Sequence, residues 1–387
     1  MRRFFPSAAR FSLLGLLWAS ALCAGEWATF RGDAQRSGIA SETLTLPLVH
    51  AWTYRPRQAP VPAWPDPMTI NYAVMHGPLQ QTLTFDRAFH VVADAEAVYF
   101  GSSADDSICS LEALTGRLRW RFVTEGPVRL PPALDRGRLF AGSDDGHLYA
   151  LEARSGQLLW KYRPGPDDRR LPGNGRTISL WPVRSGPLVD AGQVLFTAGL
   201  FPDRGVFLCA LDAESGREIF KRPLDFTAQG LMLASADRLF VPTGRTAYWS
   251  CERSDGKPSL RYGNSDPWKS NLVGGCFAIA NDGVLATGPS EDGQFHWFNF
   301  SDRSPVFRAH GDCVIVREGV VYLLGKGRLS AIDRTACLSD RKDRKEPTPR
   351  WSVDAGTSKV MILAGDQLVA AGTNELAVYD TTRVQNR

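Results

Sequence analysis

Apolar and polar residues alternate along residues 138–162 (RLFAGSDDGHLYALEARSGQLLWKY). In 138–143 and 147–152 the apolar positions recur at every second residue, which is typical of half-buried β-strands. Between them, Asp144-Asp145-Gly146 predicts a tight turn because glycine adopts a positive φ without a Cβ clash. A second turn at Ser155-Gly156 precedes a third predicted strand. Such a meander cannot hide its apolar faces from water by itself, so further copies are expected.

Seven copies of this pattern, the first one described included, follow one another after residue 86. One aromatic or aliphatic position recurs every 37 to 56 residues, close to the period of a four-stranded propeller blade. The recurring residues are Phe100, Phe140, Phe196, Phe240, Leu285, Tyr322 and Val369. An apolar stretch before each copy supplies a fourth strand. The pattern predicts an all-β fold, a seven-bladed β-propeller of four-stranded antiparallel blades, with eight blades as the alternative.

The seventh copy lacks an outermost strand because the sequence ends at Arg387. Residues 49–55 (VHAWTYR) have the character of a lone strand and carry Trp52. A ring of blades must avoid leaving an open sheet edge. We therefore expect this N-terminal strand to close the last blade.

Three regions are predicted along the chain. Residues 1–24 combine a charged start, a short apolar run and small residues near a cleavage point, which is typical of a secretory signal peptide. Residues 25–85 are expected to form a lead-in, the closing strand and a Pro-rich loop, and residues 86–387 the propeller repeats. The protein is expected to be exported, periplasmic or extracellular, without a transmembrane segment after signal cleavage.

Charge and cysteine content narrow the function classes. Removal of the three leader arginines lowers the formal net charge from +4 to +1, so there is no global electrostatic case for nucleic-acid binding. Six cysteines follow the leader, without a CxxC motif or an adjacent pair. They are interpreted as small apolar strand residues, and a disulfide between Cys276 and Cys313 stays open.

The best-kept copies resemble the tryptophan-docking repeat of the pyrroloquinoline quinone (PQQ)-like propeller family, A-x-D-x-x-T-G-x-x-x-W. Residues 150–160 (ALEARSGQLLW) and 110–120 (SLEALTGRLRW) match it with conservative changes, and 210–220 (ALDAESGREIF) ends in phenylalanine. The resemblance implies that the last aromatic residue of a repeat docks on its neighbour. The expected structural docking residues are Trp52, Trp120, Trp160, Phe220 and Trp351.

The resemblance implies the fold more than the function. Residues 27–38 (WATFRGDAQRSG) are also similar to the opening of many exported members. The family contains calcium- and quinone-dependent dehydrogenases, outer-membrane assembly scaffolds and members without an assigned activity, and a single fold hosts many functions. The dehydrogenases require a quinone in the central channel, calcium ligands and an aspartate base. This sequence has no adjacent cysteines of the kind found in alcohol-oxidising members, and no Glu/Asn/Asp set matches their ligands.

The acidic turns do not form a metal-binding motif. Asp105-Asp106, Asp144-Asp145-Gly146 and Glu291-Asp292-Gly293 occupy one repeated turn position, where aspartate caps its own backbone. A calcium loop of the EF type needs alternating oxygen ligands over twelve residues. The six histidines show no HExxH spacing. We predict no catalytic residue, no metal site and no bound cofactor.

The best candidate for a binding site is the insertion at residues 163–187. Between residues 161 and 184 there are six basic residues and two acidic ones. Arginine offers forked donors to carboxylate, phosphate or sulfate, and tryptophan offers a stacking face. In the alternative interpretation, the arginines pair with acids of neighbouring blades and the tryptophan fills the channel. The ligand-binding candidates are Arg169, Arg170, Arg176, Trp181 and Arg184.

Together these features favour an exported, non-catalytic β-propeller that binds a partner protein or a small extracytoplasmic ligand at a channel mouth. The protein is expected to be a monomer. The alternative is a PQQ-dependent oxidoreductase, similar to quinoprotein dehydrogenases, that acts on sugars or alcohols with PQQ and calcium as cofactors. A third possibility is the sensor end of a longer protein.

Overall fold

Nearly all regular structure in the computed structural model is β-strand. The structure describes residues 26–63, 86–243, 246–261, 277–289, 293–302, 304–338 and 347–383. In these ranges there is one short α-helix, Arg334–Leu338, and one 3-10 turn, Pro202–Arg204. No helix of the described chain is long and apolar enough to cross a membrane. The predicted all-β class is confirmed, whereas the predicted signal peptide lies outside the described residues.

Seven four-stranded sheets follow one another along the described chain, and we number them 1 to 7. The strands of sheets 1 to 4 are, in chain order, Val91–Ala93, Ala97–Ser102, Ser107–Glu112 and Leu118–Val123; Ala133–Asp135, Arg138–Gly142, Leu148–Glu152 and Leu158–Tyr162; Leu188–Asp190, Gln193–Ala198, Val206–Asp212 and Glu218–Leu224; and Leu233–Ala234, Arg238–Thr243, Thr246–Glu252 and Pro258–Arg261. Each of these sheets is an antiparallel meander in which neighbours in sequence are neighbours in space.

Sheets 5 and 6 repeat the meander, and sheet 7 differs in its first strand. Their strands are, in chain order, Phe277–Asn281, Val284–Gly288, Gln294–Asn299 and Pro305–His310; Cys313–Arg317, Val320–Gly325, Arg328–Asp333 and Trp351–Asp354; and Ile39–Ala40, Val360–Ala364, Gln367–Gly372 and Glu375–Asp380. Two small sheets complete the described structure. One is the hairpin Arg170–Gly173 with Arg176–Ser179, and the other pairs Ser185–Gly186 with Gly230–Leu231 in parallel.

Because side chains alternate along a strand, residues that lie opposite one another on neighbouring strands share one face of the sheet. In sheet 2, Phe140 lies opposite Ala133 and Ala150, and Ala150 lies opposite Trp160. Phe140 and Ala150 are fully buried. Burial of a side chain such as Phe140 contributes about 1.5–3 kcal/mol to folding, so the period-2 pattern of the sequence fixes which face each strand buries.

The hydrophobic core lies between sheets rather than within one of them. Buried side chains of sheets 1 and 2 form one cluster, and Phe140 of sheet 2 joins Phe196 of sheet 3 and Leu239 of sheet 4 in a second. A third cluster joins sheets 4 and 5, and a fourth joins sheets 5, 6 and 7. The second face of sheet 1 packs against Trp52 and Tyr54 instead of a sheet. Sheets 2 to 6 thus bury apolar side chains against both neighbours, as predicted for repeats that cannot fold alone.

Aromatic side chains dock on glycines of the next sheet. A Cβ atom at Gly156 would lie 2.6 Å from the Trp120 ring, and Gly216 has the same relation to Trp160. The Trp120 Nε1 donates a hydrogen bond to the Ala153 carbonyl at 2.9 Å. The glycines also have positive φ, 75° at Gly156 and 70° at Gly216, so each is needed for its conformation and for the space it leaves.

Docking continues to sheet 4 but changes at sheet 6. A Cβ atom at Gly256 would lie 2.7 Å from the Phe220 ring, so phenylalanine fills the tryptophan position there. Trp351 is 7% exposed, with its ring centroid 6.1 Å from that of Tyr322 in its own sheet. Trp120 makes the same contact with Tyr99 of its own sheet, and Trp351 belongs to the cluster that joins sheets 5, 6 and 7, so its docking role stays a prediction.

The expectation that 49–55 forms the closing strand is wrong. These residues have no strand pairing, and the fourth strand of sheet 7 is Ile39–Ala40, parallel to Val360–Ala364. Trp52 nevertheless fills a docking position, because its ring faces Gly116 of sheet 1 and its Nε1 donates to the Ala113 carbonyl at 2.9 Å. Ile39–Ala40 adds to the Val360–Ala364 edge of the sheet, and the opposite edge, Glu375–Asp380, has no partner strand among the described residues.

Candidate functional site

Each sheet has two ends, which we call the turn face and the loop face. Because consecutive strands are antiparallel, the turns between first and second strands and between third and fourth strands share the turn face. The loop face carries the remaining turns, such as 143–147, and the connections between sheets, including residues 163–187. The binding site predicted from the sequence, residues 163–187, lies on the loop face. The structure adds a second candidate, residues 26–40, near the turn face.

Residues 26–40, which we call the lead-in, lie between the meander-starting strands of six sheets. At one end, Trp27 exchanges two main-chain hydrogen bonds with Ala93 of sheet 1. At the other end, the Gly38 carbonyl accepts from Leu363 N of sheet 7 at 2.9 Å. Between them, lead-in groups bond to Leu134 of sheet 2, Ala234 of sheet 4, Ala280 of sheet 5 and Val314 of sheet 6. One short segment therefore contacts six of the seven sheets of the described chain.

Arg36 is the most deeply buried charged residue of the lead-in, at 1% exposure. Its Nε donates to the Met232 carbonyl at 2.9 Å, and its Nη1 donates to the Phe30 carbonyl and the Thr29 hydroxyl. Burial lowers the pKa of the guanidinium to about 10, against the opposing influence of Asp33 and Tyr248. Among the described residues no carboxylate lies within ion-pair distance of Arg36. Two main-chain carbonyls and one hydroxyl accept the hydrogen bonds of its guanidinium instead.

Arg31 extends from the same segment toward sheet 6. Its Nη2 donates to the Val314 carbonyl at 2.8 Å and its Nε to the Arg36 carbonyl at 2.8 Å. Gly38 is required beside it, because a Cβ atom there would lie 2.5 Å from the Arg31 guanidinium. The F-R-G-D-x-x-R-S-G sequence therefore folds into a compact unit with both arginines directed into the centre.

The groups at this centre do not fit a calcium–quinone site. Calcium prefers carboxylate and carbonyl oxygens in a cage of six to eight ligands, whereas the centre holds Thr29, Arg31 and Arg36, two of them cationic. No group of three or more His, Cys, Asp or Glu side chains in the described ranges is placed to hold a metal ion. The polar groups at this centre are instead guanidinium and main-chain groups of the lead-in, which hydrogen-bond to the surrounding strands.

On the loop face, the hairpin 170–179 is fixed to sheet 1 by Arg176. The Arg176 Nη1 donates to both carboxylate oxygens of Asp106 at 2.7 and 2.6 Å, and Nη2 donates to the Ala104 carbonyl at 2.8 Å. A bidentate pair of this kind fixes orientation as well as distance. Burial raises the pKa of Asp106 although Arg176 opposes this.

A buried ion-pair network lies beneath the hairpin. Arg184 donates to Oδ1 and Oδ2 of Asp144 at 2.7 and 2.9 Å, and Oδ2 also accepts from Arg129 Nε at 2.6 Å. Arg129 also contacts Asp86 at 2.8 Å, and the side chains of Asp86, Arg129 and Asp144 are each about 1% exposed. Asn174 at the hairpin tip accepts from Arg184 at 2.9 Å. The network thus ties the hairpin to the connection between sheets 1 and 2.

The remaining candidates are paired or buried as well. Arg169 contacts Asp167 at 3.0 Å and lies over the Trp181 ring, 5.1 Å from its centroid. Arg170 contacts Glu125 at 2.5 Å. Trp181 is 1% exposed, and its Nε1 donates to the Arg204 carbonyl at 2.9 Å. Its indole is packed in the loop rather than presented as an open stacking face.

The local excess of positive charge found in the sequence is largely neutralised in the fold. Arg176 in the hairpin and Arg184 after it point into carboxylates of sheets 1 and 2. This is the pairing that the sequence left open as an alternative. A direct ligand-binding role for the five candidates stays a prediction, and their visible role is to hold the loop.

The Asp-Asp-Gly turn of sheet 2 is also internally satisfied. Asp145 accepts from the Tyr149 hydroxyl at 2.7 Å and contacts His147 Nδ1 at 3.2 Å. Burial acts to raise the pKa of Asp145, but hydrogen bonds from His147 and Tyr149 outweigh it and hold the pKa below its usual value. Burial and the neighbouring carboxylate raise the pKa of Tyr149. The turn is a closed polar cluster within the sheet.

The described cysteines lie inside the protein. Five are buried and free: Cys109, Cys209, Cys251, Cys313 and Cys337. Burial raises the pKa of Cys251 to about 12, so its thiol stays protonated at neutral pH. Cys276, the partner considered for Cys313, lies outside the described residues, as does the segment 64–85.

Sequence reasoning missed the lead-in as a central element. It noted residues 27–38 only for their resemblance to exported proteins. Apolar periodicity is absent there, and no local rule places two arginines between distant strands. A signal was present in the pairing of Arg31 with Gly32 and of Arg36 with Gly38, because such compact Arg and Gly spacing is unusual in a solvated linker.

A protein-family model described as outer membrane protein assembly factor BamB matches residues 78–179 and 172–383. These ranges cover most of the chain. No curated protein sequence matches this chain.

Solved structures show the same fold at low identity. The BamB structure from Moraxella catarrhalis has a TM-score of 0.51 and 14% identity, covering 76% of this chain and 81% of that one. A europium-containing methanol dehydrogenase has a TM-score of 0.59 and 11% identity, with 93% and 84% coverage. Quinohemoprotein alcohol dehydrogenase from Comamonas testosteroni has a TM-score of 0.55 and 14% identity, with 94% and 72% coverage. The fold is a β-propeller built of PQQ-like repeats.

Proposed function

The chain belongs to the PQQ-like repeat family whose model is described as outer membrane protein assembly factor BamB, and we propose that it is an exported, non-catalytic β-propeller that binds a partner protein. The partner class suggested by the family is a component of outer membrane protein assembly. The observation that carries the proposal is the hairpin 170–179. It is held by the Arg176–Asp106 pair and by Asn174, which accepts from the buried Arg184, and it leaves an exposed outer surface, a form suited to recognition by shape.

The surface in question is the outer side of this hairpin. Pro172 and Thr177 are exposed, whereas Ile178 and Ser179 are buried beneath them. Asn174 and Gly175 form a tight turn with φ of 54° and 73°, which typically joins two strands without splaying them. Because the hairpin arginines are engaged with carboxylates, the surface offers shape and neutral polar groups rather than net charge.

We infer that the seven sheets form one seven-bladed ring. Support comes from residues 41–55, which connect sheet 7 to sheet 1. The Leu44 main chain exchanges two hydrogen bonds with the Gln367 side chain of sheet 7, at 2.7 and 3.1 Å. Eight residues later, Trp52 docks on Gly116 of sheet 1. The export leader predicted at residues 1–24 would fit a scaffold that works outside the cytoplasm.

A quinone-dependent oxidoreductase remains the alternative function. The dehydrogenase neighbours favour it at the level of fold. Against it stands the lead-in, because Thr29, Arg31 and Arg36 occupy the centre between the strands. We therefore propose that neither PQQ nor calcium is needed for function.

Partner binding is tested by placing a photo-cross-linking amino acid at Thr177 in the full chain, expressed with its own leader. The matched control carries it at Leu114, which is 86% exposed on the turn face. We expect a cross-linked partner from Thr177 alone. With that partner purified, Thr177→Arg should weaken binding at least tenfold, which is about 1.4 kcal/mol, and Leu114→Arg should leave it unchanged.

Two results would count against the proposal. Cross-links from Leu114 but not from Thr177 would move the partner surface to the turn face. A stable quinone absorbance with dye reduction by sugars or alcohols, after purified protein is incubated with PQQ and calcium, would establish the oxidoreductase instead.

A further inference from the structure

The lead-in is held in the way a bound peptide is held. Its main chain pairs with sheet strands at both ends, through Trp27 with Ala93 and through Ile39–Ala40 with Val360–Ala364. Its one fully buried side chain, Arg36, enters the body of the protein between these ends. Backbone pairing combined with an anchoring side chain is the general mode by which β-proteins bind extended peptides.

The covalent link that follows the lead-in crosses the surface. Residues 45–50 are exposed, with Leu48 at 42% and Val49 at 82%. The next fixed point is Trp52, which docks on sheet 1. The contacts of the lead-in are therefore separate from those of the chain that continues from it, and the exposed link between them carries little of the binding.

We propose that the space enclosed by the meander-starting strands is a peptide-binding site, that residues 26–40 are its built-in ligand, and that Arg36 is the main determinant of recognition. The inference stands on the lead-in contacts and does not depend on the loop-face partner. Its chemical class of ligand is a peptide with an Arg-x-Gly core that is turned in the middle and pairs with sheet strands at its two ends.

Arginine is specified by the arrangement of acceptors. Arg36 Nε donates to the Met232 carbonyl of the site, while its Nη1 donates to the Phe30 carbonyl and the Thr29 hydroxyl of the lead-in itself. A planar fork with several N–H donors reaches all three, whereas a lysine ammonium is a single point on a flexible stem. The turned lead-in and the Met232 carbonyl together therefore favour arginine at this position.

Glycine is specified two residues later by the space available. Gly38 has a φ of 76°, and a Cβ atom there would lie 2.5 Å from the Arg31 guanidinium. Arg31 cannot move away freely, because its Nη2 donates to the Val314 carbonyl of sheet 6. A residue with a side chain at position 38 would displace Arg31 or the strand it contacts.

The order of synthesis gives this site a role in assembly. The lead-in is made first, but its partners include Ala280, Val314 and Leu363 of the last three sheets. The segment is therefore seated only after nearly the whole chain is present. Contacts between such distant residues are slow to form, so seating of the lead-in joins the sheets into one unit late in folding.

The full chain tests this with a specific protease site inserted between Leu48 and Val49. The protein is folded, cut and passed over a sizing column, and a labelled synthetic peptide of residues 26–48 then competes for the site. We expect the cut fragment to stay bound. The wild-type peptide should exchange with it, and a peptide with Arg36→Ala should compete at least a hundredfold more weakly.

Gln35→Ala in the peptide is the matched control, because the Gln35 side chain is exposed and its contribution is a main-chain carbonyl. It should compete like the wild-type peptide. Release of the fragment on cutting, with or without unfolding of the remainder, would overturn the proposal. Equal competition by the Arg36→Ala peptide would remove Arg36 as its determinant. Arg36→Lys distinguishes the forked contacts from charge alone and should also compete poorly.

Discussion

The Trp120 ring lies directly over Gly156, in the place where a Cβ atom at that glycine would come within 2.6 Å of the indole. The same relation joins Trp52 to Gly116 at 2.5 Å, although Trp52 belongs to an irregular segment and Trp120 to a strand. Docking therefore depends on the position of the indole and not on the strand that carries it.

Gly156→Ala should destabilise the protein through this contact. The substitution forces alanine into positive φ and places its methyl group against Trp120, which together cost about 3 kcal/mol. Gly137→Ala is the matched control, since Gly137 has the same φ of 75° and nothing within 4 Å of the added Cβ. It should cost about 1 kcal/mol. Urea unfolding measures both, and equal losses would show that the indole yields freely.

Asp144→Ala should be among the most damaging single substitutions. The Asp144 carboxylate serves both Arg129 and Arg184, and its removal leaves two buried guanidinium groups without it. The expected loss of unfolding free energy is about 3–5 kcal/mol. Asp168→Ala removes an exposed carboxylate 3.6 Å from Arg170 and should cost less than about 1 kcal/mol. A loss from Asp144→Ala no larger than that of the control would contradict the network.

Arg176→Ala should release the hairpin without unfolding the sheets. The pair with Asp106 is roughly three-quarters buried, with 29% and 26% of the two side chains exposed. We expect amide hydrogen exchange across 170–179 to rise by roughly tenfold, because local opening needs few contacts to be broken. Arg117→Ala, at a side chain that is 81% exposed, should leave exchange unchanged. Unaltered exchange in the hairpin would mean that other contacts hold it.

Asp145 should make stability depend on pH in the acid range. Its pKa in the folded protein lies below the usual value, so the folded state binds the proton less tightly than the unfolded state. Asp145 contributes fully to the free energy of unfolding at pH values above its pKa in the unfolded chain, near 4. This contribution is lost as the pH falls through the lower pKa of the folded protein.

Asp145→Asn removes this titration and should flatten the dependence of the urea midpoint on pH between about 2 and 5. Asp203→Asn, at a side chain that is 73% exposed, should keep the wild-type slope. A slope identical in Asp145→Asn and wild type would show that the hydrogen bonds from His147 and Tyr149 do not favour the ionised carboxylate.

Local patterns were sufficient for the sheets. Alternation at positions such as Phe140 and Ala150 predicted strands that the structure contains, and the Gly-containing repeats predicted docking of Trp120 and Trp160. These features involve residues close in sequence or in equivalent places of successive copies. The family resemblance rested on the same residues and is confirmed.

The candidate site was less accessible from sequence. The arginines of 163–187 were visible as a charge excess, but their partners Asp106, Asp144 and Glu125 lie in other sheets or connections. Whether a guanidinium faces a ligand or a carboxylate depends on atoms brought together only by folding. The closing strand expected at 49–55 is not formed: Trp52 docks on Gly116, but the main chain of this segment does not pair with Glu375–Asp380, the edge strand of sheet 7.

The sequence by itself determined the β class, the strand faces, the repeat and the glycines that receive aromatic rings, because each follows from the geometry of a strand or turn a few residues long. The tertiary structure alone decided where the charged groups go. Arg36 is polar in any local reading, and it becomes the buried anchor of the centre only when Met232 and Phe30 present their carbonyls to it. Burial of a charge is a property of the assembled fold, since its cost is met by acceptors that no single segment contains.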